Sequence, residues 1–227
     1  MLKKKIGLVL IVAMMVLLLA SCGEKVVPVD PGVISYPGLA WNMTQKEVIK
    51  ALDIDEKDIL PNGAESTPQQ QVFCVEDWKY LGQKGTILFE FWNECEDYFG
   101  LRRVVVFYPE SANADSLTKE LTAMLGAGTP VSDGAWLRWD SEKMYSDYME
   151  EGLAELKEKR PESYDMRLKS SEGVPASYVT LHFNAEDGTY PNLAPYEEWD
   201  GSGITVSFYS NHMPLLQYAE FGMNLPD

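Results

Sequence analysis

Residues 71–93 constrain the fold of this chain more than any other stretch. Two runs of alternating apolar and polar residues, 71–80 and 86–93, flank the segment Leu81-Gly82-Gln83-Lys84-Gly85. A period of two sustained over a run of this length marks a strand with one buried face. A short glycine-containing break between two such runs marks a hairpin. With the turn centred on Lys84-Gly85, Trp78 faces Phe91, Tyr80 faces Phe89, Lys79 faces Glu90 and Cys74 faces Cys95. Aromatic pairs then share one face and an ion pair lies on the other, as cross-strand pairing favours. The same register brings two sulfurs together, so Cys74 and Cys95 are the candidate disulfide. It would close a loop of about 20 residues and contribute on the order of 3 kcal/mol. A turn centred on Gly82-Gln83 would separate the two thiols instead.

The rest of the chain continues in the same style. Thr44 with Glu47 three residues later reads as a capping box, and Met43 with Val48 as a hydrophobic staple, which predicts a helix over 45–52. Residues 100–108 (GLRRVVVFY) read as a further strand. The spacing of Leu117, Leu121, Met124 and Leu125 predicts a helix over 115–125, stopped by Gly126 and Gly128. Trp136-Leu137-Arg138-Trp139 alternates as a short strand. Ser141 is placed to cap a helix reaching to about residue 159, with Met144, Tyr145, Tyr148, Met149, Leu153 and Leu156 along one stripe and Arg160-Pro161 at its end. Residues 177–183 and 204–209 alternate as two late strands. Hairpins and short connections dominate, so the expected class is α+β: an antiparallel sheet with helices packed mainly on one face.

The N-terminus is of a different kind. Lys3, Lys4 and Lys5 precede an apolar run from Ile6 to Ala20 that ends in Leu19-Ala20-Ser21-Cys22. This resembles the export signal of a bacterial lipoprotein, cut before a cysteine that already carries a diacylglyceryl group. The apolar run falls short of the roughly 20 residues that a spanning helix needs. The resemblance implies that residues 1–21 are a signal peptide and that Cys22 is the lipidation site. The protein would then be held at a membrane in the cell envelope, facing periplasm or exterior, by acyl chains. Residues 22–37, with three prolines and no sustained period, read as the tether. Residues 38–227 read as one α+β domain, or as two small units over about 38–108 and 113–227.

Charge narrows the partners. Removing residues 1–21 takes away three lysines and no acid, so 19 basic residues become 16 against 35 acidic ones, a formal charge of −19. Such a surface repels phosphate backbones, which argues against nucleic acid, and it suits a basic partner, a cation or plain solubility. Six Trp, twelve Tyr and eight Phe supply ample apolar bulk for a core.

Catalytic chemistry has little to stand on. His182 and His212 are the two histidines; His182 alternates with Tyr178 and Thr180 as a strand-face residue, and His212 follows Ser210-Asn211 with no third partner at triad spacing. The chain contains no G-x-S-x-G, P-loop, H-E-x-x-H or C-x-x-C pattern. The run Asp53-Ile54-Asp55-Glu56-Lys57-Asp58 begins like a calcium loop, but it has Asp58 where glycine belongs and Ala64 where the bidentate glutamate belongs. No metal or cofactor is called for. The segment 185–203 is the most suggestive: Tyr190, Tyr196 and Trp199 sit among Glu186, Asp187, Glu197, Glu198 and Asp200. A connection this long is often a binding loop, and these aromatics are the binding candidates, for a basic protein patch or a sugar. The alternative is an insertion that folds its aromatics back over the sheet.

The run Gly38-Leu39-Ala40-Trp41-Asn42-Met43-Thr44-Gln45-Lys46-Glu47-Val48, followed by a hairpin and the strand 100–108, is similar to small envelope lipoproteins related to outer-membrane-assembly accessory lipoproteins and β-lactamase-inhibitor-like proteins. Asn42 stands where such runs usually have glycine. The resemblance implies a helix-plus-sheet module that binds other proteins without catalysis. The expectation is therefore a membrane-anchored envelope lipoprotein that binds another envelope protein. A receptor for a sugar or peptide is the alternative, and an envelope hydrolase comes third.

Overall fold

The turn of the first hairpin is Leu81-Gly82, with φ of 49° and 77°. Two successive positive φ values give the tight two-residue turn whose twist matches paired strands. It joins β1 (Gln70–Tyr80) to β2 (Gln83–Cys95), and β3 (Tyr98–Tyr108) follows. The computed structural model describes residues 32–60, 70–95, 98–147, 157, 158, 161–183 and 203–211. Residues 1–21, Cys22, the expected helix-stripe residues Tyr148, Met149, Leu153 and Leu156, and Tyr190, Tyr196, Trp199 and His212 lie outside the described residues.

This turn corrects the expected register. Tyr80 faces Gln83 and Trp78 faces Gly85; beyond an irregularity at Glu76-Asp77, Val75 faces Ile87 and Cys74 faces Leu88. Leu88 and Cys95 are seven positions apart on β2, about 23 Å at strand rise, whereas a disulfide needs Cα atoms within about 7 Å. The register therefore removes the geometric argument for a Cys74–Cys95 bridge. Lys79 faces Lys84 rather than Glu90, and Lys84 Nζ turns to Asp77 Oδ1 at 2.9 Å. Phe73 stacks on Phe89 at 4.7 Å in place of the expected Trp78–Phe91 and Tyr80–Phe89 pairs.

After β3, α2 (Ala114–Leu125) carries the chain to β4 (Thr129–Val131), and β5 (Trp136–Asp140), β6 (Ser177–His182) and β7 (Ile204–Ser210) return strand by strand. The result is one seven-stranded antiparallel sheet in the order β1-β2-β3-β7-β6-β5-β4. Strands from both halves of the chain share this sheet, and β3 and β7 meet at its centre.

The class is α+β, and α1 and α2 pack on one face of the sheet. On that core face Phe73, Ile87, Phe89, Val104, Val106, Val179, Leu181, Val206 and Phe208 form one cluster with Val48 of α1 (Gln45–Ala51) and Leu117 and Leu121 of α2. Leu117 and Leu121 are fully buried, each worth about 1.5–3 kcal/mol of transfer free energy. Leu125 packs against the same cluster, but Met124, expected inward, is exposed.

α1 is punctuated as the sequence predicts at its start. Thr44 accepts from the Glu47 amide, and the Glu47 carboxylate takes the Thr44 amide. Its end is a Schellman motif: Ile54 N–H reaches Ile49 O at 3.0 Å, and Asp53 N–H reaches Lys50 O at 3.4 Å. Asp53 takes the left-handed position, with φ 52°, that glycine usually fills. Asn42, at φ 74°, also meets a left-handed position, with the residue type that tolerates it best after glycine.

The folded domain begins before residue 38. Tyr36 is buried, Val33 and Ile34 pack on the core, Ile34 N–H bonds Ser177 Oγ at 2.7 Å, and Trp41 Nε1 donates to Ile34 O. Part of the proline-containing stretch is thus structure rather than tether. Two further differences concern 141–170. Ser141 does not cap a helix: its hydroxyl donates to Lys143 O and accepts from Ser177 N–H. Pro161 opens α3 (Pro161–Ser170), as its missing N–H and fixed φ permit at a first helical position; residues 145–147, 157 and 158 are helical, and the rest of the helix expected up to residue 159 lies outside the described residues.

Candidate binding face

The sheet has a second face, and its rows can be read across the strands. One row runs Glu90 (β2), Arg103 (β3), Tyr209 (β7), Tyr178 (β6) and Asp140 (β5). Arg138, two residues before Asp140 on β5, leans into it. Arg103 Nη1 lies 3.3 Å from Glu90 Oε2, at ion-pair distance without hydrogen-bond alignment. The Arg103 guanidinium sits 4.8 Å from the Tyr209 ring centre. Tyr209 and Tyr178 stack at 4.6 Å with 15° between their planes. Arg138 covers the other side of Tyr178 at 4.2 Å and bonds Asp140 Oδ1 through Nε at 2.6 Å. The row is therefore acid, arginine, tyrosine, tyrosine, arginine, acid across five strands, with each ring face occupied by a neighbour.

A bulge extends this ladder. Glu90 faces Arg103 but Phe91 faces Leu101, which leaves Arg102 as the extra residue of β3. Its guanidinium lies 4.4 Å from the Trp92 ring centre, and the Trp92 indole donates to Glu90 Oε1. Glu90 thus has one oxygen on an indole and the other on an arginine. Arg102, Arg103 and Arg138 are three of the five arginines in a chain of net charge −16. Arg102, Arg103, Arg138, Tyr178 and Tyr209 are half-buried, so the ladder shows ring edges and donor groups rather than ring faces.

The neighbouring rows are more closed. Val105 faces Ser207, which faces Thr180; Phe107 faces Thr205, which faces His182, which faces Trp136. His182 and Trp136 stack at 5.0 Å and 8°, so His182 is a strand-face residue, as its alternation indicates. Thr180, Thr205 and Ser207 are 3%, 1% and 0% exposed, and none of their hydroxyl oxygens has a hydrogen-bond partner among the described residues. An unsatisfied buried polar group costs about 1–3 kcal/mol, so three would take about 3–9 kcal/mol from a domain stability of about 5–15 kcal/mol. Cys74 lies on this face too, buried with Leu88, Val105 and Phe107, and Leu60 and Val72 pack against them.

The edges of the sheet are blunted. On β1, Ile59 bridges to Val75 and Leu60 N–H bonds Cys74 O, while Asp77 twists the strand at φ 54°. At the other edge β4 is three residues long and contains Pro130. Among the described residues no group of three His, Cys, Asp or Glu side chains is arranged to hold a metal ion, and no helix is long and apolar enough to cross a membrane.

The ladder residues were not singled out by sequence reasoning. The alternation that makes Tyr178 and Tyr209 outward-facing was visible. That they meet each other, that Glu90 meets Arg103 and that Arg103 meets Tyr209 depends on registers between strands, the last pair being 106 residues apart in sequence. The chain matches no protein-family model, no curated protein and no solved structure.

Proposed function

We propose that this chain is a lipid-anchored protein of a bacterial cell envelope that works by binding another envelope protein through the second face of its sheet. The anchor rests on the lysine-rich, apolar, small-residue-then-Cys22 start. The observation that carries the binding reading is the acid–arginine–tyrosine–tyrosine–arginine–acid ladder, half-buried along its arginines and tyrosines and exposed at Asp140. Tyrosine and arginine are the residues that most often dominate protein interfaces. Here they are held by one another, so less side-chain entropy remains to be lost on docking. α1 and α2 pack on the core face, both edges are blunted and the neighbouring rows of the second face are closed, which leaves the ladder as the part of that face that reaches the surface for a partner. Its arginines suit a partner with acidic or carbonyl groups. The occupied ring faces speak against stacking on a sugar at the ladder itself.

The test places a photo-crosslinking residue at Trp92 or Asp140, the two ends of the ladder, and at Lys119 on the exposed side of α2 as control. One stoichiometric envelope-protein adduct from the ladder positions, absent from Lys119 and lost with Arg138→Ala, is the expected result. The same adducts from all three sites, or none, overturn the reading. Labelling by a palmitate analogue that vanishes in Cys22→Ser tests the anchor separately.

A further inference from the structure

We infer that the partner taken by the ladder is embedded in the same membrane that holds the anchor, and that the ladder meets it close to the bilayer surface. This deepens the proposed function and rests on both of its parts, the lipid on Cys22 and docking at the ladder. The chain enters the fold at the ladder's own end of the sheet. Ser177–Ser210 is the outermost pair of β6 and β7, one position beyond Tyr178–Tyr209. Ile34 N–H bonds the Ser177 hydroxyl at 2.7 Å, and Lys143 N–H, three residues past Asp140, bonds Gly32 O at 3.0 Å. Ser141 ties the two together: its N–H donates to Ser177 O at 2.9 Å and its hydroxyl accepts from Ser177 N–H at 3.0 Å. The first hairpin turn is at the opposite end. Gln83 beside that turn is nine positions from Trp92 along β2, about 30 Å at strand rise.

Chain length then sets the reach. Ten residue steps lead from Cys22 to Gly32. Fully extended, ten residues span at most about 36 Å, and a random coil of that length averages about 16–19 Å. Counted through Ile34 and Ser177, Gly32 lies within about 15 Å of Tyr178. The ladder is therefore held within about 50 Å of the bilayer at full stretch, while the hairpin turn can stand about 30 Å further out. In that layer the surfaces on offer are lipid headgroups and the segments of embedded proteins that emerge from the bilayer. Headgroups fit poorly, because the chain carries a formal charge of −16 even before its lysine-rich start is removed. Arg138 and Arg103 each already have a neighbouring carboxylate, which weakens any pull on a lipid phosphate. What this end presents suits a protein: Trp92 and Met144 are exposed here, and tryptophan, tyrosine and arginine are the side chains that most often anchor protein interfaces.

The experiment has two readouts. Lipidated full-length protein in vesicles of phosphatidylethanolamine and phosphatidylglycerol carries a donor dye at Glu142, beside the ladder, or at Lys84, beside the hairpin turn, and the headgroups carry the acceptor. Energy transfer at least twofold stronger from Glu142 is expected; equal or stronger transfer from Lys84 overturns the membrane-proximal placement. In cells, crosslinking from Trp92 and Asp140 is compared between the native chain and chains lengthened within residues 23–31, either by a stiff helical spacer of about 60 residues and about 90 Å or by as many Gly and Ser residues. One adduct with a membrane-embedded protein, cut fivefold or more by the stiff spacer and less by the flexible one, is the expected result. A soluble protein as the adduct, or an embedded one captured equally well across the stiff spacer, overturns this inference and leaves docking at the ladder standing. Adducts with lipid, or none, from the native chain overturn the ladder as a protein-docking surface and this inference with it.

Discussion

Cutting the Glu90–Arg103 rung separates two physical accounts of the ladder. Both side chains are largely withdrawn from water, 4% and 13% exposed, with Nη1 and Oε2 3.3 Å apart. At an effective dielectric of about 20, a pair at that 3.3 Å distance attracts by about 5 kcal/mol. Desolvation offsets most of this gain, so the intact pair contributes little net stability. Removing one member is a different matter, because the other stays buried and uncompensated. Arg103→Met and Glu90→Leu are each expected to lose about 3 kcal/mol of folding stability. The double variant is expected to lose only about 1 kcal/mol, the part owed to the Arg103–Tyr209 contact. Urea unfolding followed by tryptophan fluorescence and by circular dichroism measures all four corners of the cycle. A coupling of several kcal/mol with an unchanged m-value is the expected outcome. Losses that simply add, or single variants within about 0.5 kcal/mol of the parent, would refute the buried-rung argument and with it the claim that the ladder is held rigid.

Three further perturbations test other parts of the structure. Gly203→Ala places a Cβ 2.3 Å from Tyr108 O at a residue with φ 108°, and is expected to lower the urea midpoint by the equivalent of about 3 kcal/mol, whereas Gly134→Ala, at φ 87° in open space, should cost only about 1 kcal/mol. Asp53→Gly relieves the left-handed position of the Schellman motif and should raise stability by about 0.5–1 kcal/mol, read as a higher melting temperature; a lower one contradicts the cap. Burial pushes the Tyr36 phenol up to about 12, and Tyr80 and Tyr108 are raised for the same reason. The neutral phenols favour the folded state. Their contribution is therefore complete below the unfolded value near 10 and is lost as pH rises towards the folded one, at about 1.4 kcal/mol per pH unit for each tyrosine. A urea midpoint that stays flat from pH 9 to 11.5 contradicts the burial of this cluster.

What could be read from the sequence was what depends on neighbours along the chain. The Thr44–Glu47 box, the Leu117–Leu121 stripe and the alternation of β3, β5, β6 and β7 are settled within one or two turns or one strand, and all are present. What was misread depends on a single turn. Leu81 is a poor advertisement for a positive φ, so the sequence points to turns at Lys84-Gly85 or Gly82-Gln83 and not to the one formed at Leu81-Gly82. The irregularity at Glu76-Asp77 then shifted the register again. Because the side-chain period of a strand is two, such slips change every partner, and the sulfur pairing and the Lys79–Glu90 ion pair went with them. Residues 32–37 were misread for the complementary reason. Prolines signalled an extended tether, but what holds Ile34 is Ser177, 143 residues away.

The same dependence on distant partners explains why the candidate face could not be read from any motif. Glu90 and Arg103 come from the first three strands, while Tyr209, Tyr178 and Arg138 come from the last three. They are joined only through the β3–β7 seam, where six residue pairs run from Arg103–Tyr209 to Tyr108–Ile204. That seam also carries the core, since Val104 meets Phe208 and Val106 meets Val206 on the opposite face. Every second residue of the seam thus builds the hydrophobic cluster, and the residues between them face the other side, Arg103–Tyr209 in the ladder and Val105–Ser207 and Phe107–Thr205 in the closed rows beside it. Separating the halves, as a reading of two small units would allow, would expose both at once. The Arg103–Tyr209 contact consequently reports on the whole sheet: these two residues can meet only when the central seam has closed, so folding of the core and assembly of the binding face are one event.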